Sequence, residues 1–109
     1  MSQKRKGLGG IVGRRVRTLR RERGWDQVDL EAHIHETVGR SAISHFETGR
    51  THPSLNTLVE FAQAFDVDAA SLLLDPHGDY RHRVAIAVLA CRDDNLLKAV
   101  GKLLDVPSE

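Results

Sequence analysis

Cysteine is almost missing from this chain of 109 residues, and Cys91 stands alone. One thiol excludes an internal disulfide. With Leu89 and Ala90 beside it, Cys91 is expected to be a buried apolar side chain. Long apolar runs are missing too, since nothing approaches the ~20 residues needed to span a bilayer. The basic residues near the N-terminus are not followed by the apolar segment of a secretory signal. A cytoplasmic protein with no membrane partner is therefore expected. Catalytic signatures are equally scarce. Six histidines (His33, His35, His45, His52, His77 and His82) invite a metal reading. They have no cysteine partner, no His-Glu-x-x-His spacing and no glycine-rich phosphate loop before a lysine. His33 and His35 lie two apart at a helix end and point in different directions. No enzyme, metal or cofactor is expected, and there is no internal repeat or low-complexity segment.

What is present is an uneven distribution of charge. The net charge is only +1, yet residues 1–25 carry nine Lys/Arg against the single acid Glu22. That segment is +8 and the remainder −7, an asymmetry that points to an anionic partner at one end. A solvated arginine-rich helix is the plain alternative. At 40% hydrophobic and 28% charged, the composition suits one small domain with an appendage.

The periodicity divides the chain into three parts. Residues 1–10, basic and glycine-rich, form a flexible N-terminal arm. Residues 11–75 hold five helices. The first runs from Ile11 to Arg23, with Ile11, Val12, Val16 and Leu19 on one face and Gly24 stopping it. Asp26 caps the second, which carries Val28, Leu30 and Ile34. The third spans Arg40 to Thr48 and ends at Gly49. Ser54 caps the fourth, Leu55 to Phe65, and Asp68 the fifth, Ala69 to Leu74. After a break at residues 75–79 come two apolar stretches, Tyr80 to Cys91 and Asn95 to Asp105. The first is apolar nearly all round and the second is amphipathic. A helical hairpin of this kind over residues 80–105 would expose a large apolar patch if left alone. It is expected to dimerise or bind a partner through Val84, Val88, Leu97, Val100 and Leu104; the alternative is that both helices fold back on their own domain.

Between Gln27 and Gly49 the chain reads QVDLEAHIHETVGRSAISHFETG. Two short helices joined by a turn, the second opening with small and polar residues, have the layout of a helix-turn-helix. The elements GRRVRTLRRERGWDQVDL and SAISHFETGRTHPSLNTLVEFAQAFDV resemble the phage-repressor/Cro type, or xenobiotic-response-element, family of helix-turn-helix regulators. The resemblance runs from Ile11 to Leu73. It implies an all-α, five-helix lambda-repressor-like DNA-binding domain, here followed by the C-terminal helical hairpin. The chain departs from the family in three places. Glu31 stands where alanine is usual, the turn after Ile34 is about two residues longer, and Gly39 takes a cap position where Ser or Thr is common.

The third helix carries the expected specificity. Ile43 and Phe46 face the core with Val38, leaving Arg40, Ser41, Ser44 and His45 for base contact. An arginine at the start of a recognition helix can donate twice to guanine O6 and N7, and Ala42 could touch a thymine methyl. By resemblance, Gln27, Gly39, Arg50, Thr51 and His52 would contact phosphates, with Asn56 as a further candidate. Lys4, Arg5 and Lys6 could wrap the duplex as a basic arm or stay clear of it. Arg20 and Glu47 match the family's structural ion pair between the first and third helices, and Trp25 is expected in the core. The implied function is a homodimeric repressor reading a palindromic operator on double-stranded DNA. The alternative is an antitoxin-type protein that holds a protein partner through the C-terminal helices and represses its own operon.

Overall fold

The first helix, α1 (Leu8–Glu22), is the axis on which the others pack. The computed structural model describes residues 8–34 and 38–107. After α1 come α2 (Gln27–Ala32), α3 (Arg40–Glu47), α4 (Leu55–Phe65), a 3-10 helix (Ala69–Leu73), α5 (Tyr80–Ala90) and α6 (Asp94–Leu103). The proposed arm residues Lys4, Arg5 and Lys6, and the lengthened turn at residues 35–37, lie outside the described residues.

Short polar side chains start nearly every helix, because the first backbone N–H groups have no partner within it. Asp26 and Asp29 form a reciprocal capping box at α2. Ser54 accepts from Thr57 N–H at α4, Asp68 from Ala70 N–H at the 3-10 helix, and Asp79 and Asp93 do the same for α5 and α6. Only α3 lacks a side-chain cap among these, since Gly39 has none to offer. Gly49 ends α3 at φ 78°, a left-handed turn that side-chain-bearing residues rarely adopt.

The core is filled from one face of each of the first five elements. Val12, Val16 and Leu19 of α1 meet Leu30, Ile34, Ile43, Phe46, Leu58, Phe61, Phe65 and Leu72. Phe46 and Phe61 pack edge to face with centroids 6.0 Å apart. Gly13 is buried where α1 crosses the end of α3. A Cβ there would land on the Phe46 carbonyl oxygen and lie 3.2 Å from the Glu47 carbonyl carbon, so the absence of a side chain sets the closeness of that crossing.

Several sequence expectations change. α1 starts at Leu8, so residues 8–10 belong to the helix instead of the arm. Gly10 lies against the turn after α3, its Cα 3.7 Å from where a Cβ on Gly49 would sit. The fifth helix is a 3-10 helix. Cys91 is half-buried instead of buried, because it lies just past the end of α5 and α5 itself has no buried residue.

The C-terminal helices follow the five-element body without entering its core. α5 is tethered through the 3-10 helix, an Arg14–Asp75 ion pair at 3.7 Å, and an Asp75 N–H donated to His82 Nδ1 at 2.8 Å. α6 makes no comparable packing on any other described element. No residue of either helix is buried among the described ones.

Candidate nucleic-acid interface

α3 presents two different faces. One is pinned inward by Ile43, Phe46 and Glu47, all buried. The pin is electrostatic as well as apolar. Arg20 donates from Nε to Glu47 Oε2 at 2.7 Å and from Nη2 to Oε1 at 2.9 Å, with the two side chains 9% and 3% exposed. Such a two-pronged charge-assisted pair has defined geometry as well as energy. Its third arm, Nη1, donates to the Trp25 carbonyl at 2.8 Å, while Trp25 N–H donates back to the Arg20 carbonyl at 3.1 Å. Hydrogen bonding to the Glu47 carboxylate raises the Arg20 pKa above its ordinary value. Trp25 is half-buried and its ring stacks on His33 at 4.0 Å and Phe65 at 5.9 Å, so it serves as packing.

The other face of α3 is open. Arg40 and Ser41 are exposed at its start and Ser44 and His45 are half-buried beside them, whereas Ala42, also half-buried, packs against the core. Because Gly39 contributes no capping side chain, the first amides of α3 have no side-chain acceptor from the cap. Such a helix start favours a negative charge. The turn that follows is built on one carbonyl. His45 O accepts from Arg50 N–H at 2.9 Å, Thr51 N–H at 3.3 Å and Thr48 Oγ1 at 3.2 Å. Arg50, Thr51 and His52 are exposed, but the backbone donors of Arg50 and Thr51 are already engaged, leaving their side chains for any outside contact. Asn56 is exposed at the start of α4.

Gln27 has a double position. Its Nε2 donates to Glu47 Oε1 at 3.2 Å, which ties the start of α2 to the buried ion pair. The side chain remains half-exposed. Below it the Asp26 carboxylate is held below its usual pKa, chiefly by the Asp29 backbone N–H it accepts.

Sequence reasoning missed how much of the arginine cluster turns inward. Arg23 donates from Nη1 to the Leu19 carbonyl at 2.9 Å and from Nη2 to the Phe65 carbonyl, with its guanidinium over the Phe65 ring. Arg15 is buried and Arg14 is paired with Asp75. A signal for Arg15 was available, because it falls in the same helical stripe as Val12, Val16 and Leu19. Of the expected partner-binding residues, Val84, Val88 and Leu104 are exposed, while Leu97 and Val100 are half-buried. Among the described residues no group of three His, Cys, Asp or Glu is placed to hold a metal ion, and no helix is long and apolar enough to cross a membrane.

A family model described as a helix-turn-helix domain matches residues 11–73. No curated protein and no solved structure matches the chain.

Proposed function

The chain belongs to the helix-turn-helix domain family, of the xenobiotic-response-element type, and on that premise we propose that it is a homodimeric repressor reading a palindromic operator. A DNA-binding domain of a non-catalytic family is present. The observation carrying the finer reading is the two-faced α3: Ile43, Phe46 and Glu47 are locked inward while Arg40 and Ser41 stand free at its start. Arg40 there donates to guanine O6 and N7, and Ser41, Ser44 and His45 take adjacent base edges. Gln27, Gly39, Arg50, Thr51 and His52 hold flanking phosphates and set the register. Lys4, Arg5 and Lys6 add charge from the arm. Two copies would place their recognition helices ~34 Å apart, one turn of duplex.

Footprinting on the DNA upstream of the chain's own gene tests this, with Arg40→Ala in parallel. A protected palindrome that is lost in the variant is the expected result. Sequence-independent binding seen only at low salt would reject it.

The open apolar surface of α5 and α6 supports a second reading, in which the helices hold a foreign protein and the chain acts as an antitoxin repressing its own operon. Tyr80, Val84, Val88 and Leu89 on α5, and Leu96 and Leu103 on α6, are all exposed in the single chain. A mass measurement on the purified chain separates the readings, because a self-partner gives a dimer and a foreign one leaves a monomer.

A further inference from the structure

Arg15 lies in the apolar stripe of α1 and folding leaves it only 8% exposed. Its Nε donates to the Ser71 carbonyl at 3.4 Å, a long bond. Among the described residues its two terminal nitrogens have no acceptor, and no carboxylate lies within ion-pair reach. A guanidinium taken out of water is costly unless its donors are met. The burial lowers its pKa from the ordinary value, a loss that Glu22 opposes and Arg23 reinforces.

This side chain borders a cavity of about 110 Å³ between the helix-turn-helix body and α5. Ile86 and Leu89 of α5 form an apolar wall, and Arg92, just beyond α5, brings a second cation to the lining. Two acids also line it. The Asp68 carboxylate is engaged, accepting Ala70 N–H at 2.9 Å as the cap of the 3-10 helix. Asp66 is exposed, in the left-handed turn after α4. At roughly 30 Å³ per water the space holds a few waters or one small ion of similar bulk. It is far below the ~300 Å³ at which pockets begin to enclose larger organic ligands.

We propose that this cavity is a binding site for a small oxyanion, a carboxylate or a phosphate of few heavy atoms, held by the terminal nitrogens of Arg15 with Arg92 as second cation. The planar guanidinium fork matches either anion, donating two parallel hydrogen bonds. The occupant bridges α1 and α5, so it fastens α5, and the open Val84 and Val88 with it, to the DNA-binding body. The site stands whether those valines meet a second copy or a foreign protein.

The test is a titration of the full chain, labelled with nitrogen-15, with sodium acetate and separately with sodium phosphate, ionic strength being held constant with sodium chloride. Arg15 and Arg92 side-chain resonances are expected to shift saturably while Arg17, exposed on the same α1, does not move. At ten times the Kd the folded-to-unfolded ratio should rise about elevenfold, seen as a higher Tm. Arg15→Gln should abolish both responses. Should that variant fail to fold, Arg92→Ala, at an exposed position, is expected to fold and to weaken the Arg15 shift. A response to acetate alone identifies a carboxylate ligand, to phosphate alone a phosphate, and either supports the site. No saturable shift with either anion, or equal drift at Arg15 and Arg17, would overturn it and leave water as the occupant.

Discussion

Replacing either member of the Arg20–Glu47 pair should cost the domain a large part of its stability, and replacing both should cost less than replacing one. Both side chains are less than a tenth exposed, and the pair is joined at 2.7 and 2.9 Å. Arg20→Met leaves the Glu47 carboxylate in the core with, among the described residues, only the Gln27 amide, 3.2 Å away, as a side-chain donor. Glu47→Leu strands the guanidinium with, among the described residues, only the Trp25 carbonyl at 2.8 Å. Removing one partner of a buried pair costs about 3–5 kcal/mol, because the other charge stays dehydrated without compensation. Domains of this kind have a total of only ~5–15 kcal/mol. In the double variant no stranded charge remains, and an apolar pair in the same volume is close to neutral.

The assay is urea unfolding followed by fluorescence of Trp25, the only tryptophan in the chain. Each single variant should lower the midpoint at an unchanged slope, and the cycle should give a coupling of at least ~2 kcal/mol. Costs below about 1 kcal/mol for each single variant, adding in the double, would refute the reasoning, because that is how a solvated surface pair behaves. DNA affinity supplies a second readout. The pair orients α3, so the double variant should recover stability more fully than it recovers operator binding.

Gly13→Ala would stabilise an exposed helix by up to ~1 kcal/mol, but here the new methyl meets the Phe46 carbonyl, and overpacking should make the net effect a loss of about 1–3 kcal/mol in thermal melts. A gain would show that α1 and α3 do not cross so closely. The folded pKa of Asp26 is depressed, so its contribution is present above the unfolded value of 3.8 and disappears as pH falls from there through the folded value. The stability gap between the parent and Asp26→Asn should therefore be wide near neutrality and narrow progressively as pH falls below 3.8; a gap independent of pH would assign the cap no linked proton. Val88→Glu should convert a dimer to monomer in light scattering with the Tm of the helix-turn-helix body little changed, since Val88 is 37% exposed in the single chain. Retention of the dimer would move the self-contact away from α5.

The helical body was legible because its signals were local and agreed with one another. Asp26, Ser54 and Asp68 marked helix starts by their short acceptors. Gly49 marked an end by its left-handed backbone, and the stripes of α1 and α4 marked the core. Legibility failed where distant contacts decided the outcome. The glycines at 9 and 10 favour an arm by composition, whereas α1 begins at Leu8 and Gly10 lies against the turn at Gly49. The 3-10 helix Ala69–Leu73 packs against both α1 and α4, and its geometry leaves no trace in the hydrophobic pattern. Gln27, assigned to a phosphate by its place at a helix start, also supports Glu47 from 20 residues away.

The arginine cluster shows the same limit in electrostatic form. Counting charges gives +8 for residues 1–25 and suggests a broad anion-seeking surface. The fold spends that charge differently. Arg20 is matched by Glu47, Arg14 by Asp75, Arg23 is bonded to two carbonyls, and Arg15 is buried beside a cavity. On α1 this leaves Arg17 and Arg21 exposed. A phosphate contact releases counterions only if the cation reaches the phosphate, so the salt dependence of DNA binding cannot follow the summed charge of the N-terminal segment. The arginines of α1 are better understood as the means by which one helix holds both neighbours. Arg20 and the missing side chain of Gly13 fix α3 on one side, and Arg14 and Arg15 meet the 3-10 helix and the approach to α5 on the other. The surface that would read DNA and the surface that would find a partner are therefore positioned by the same rigid element.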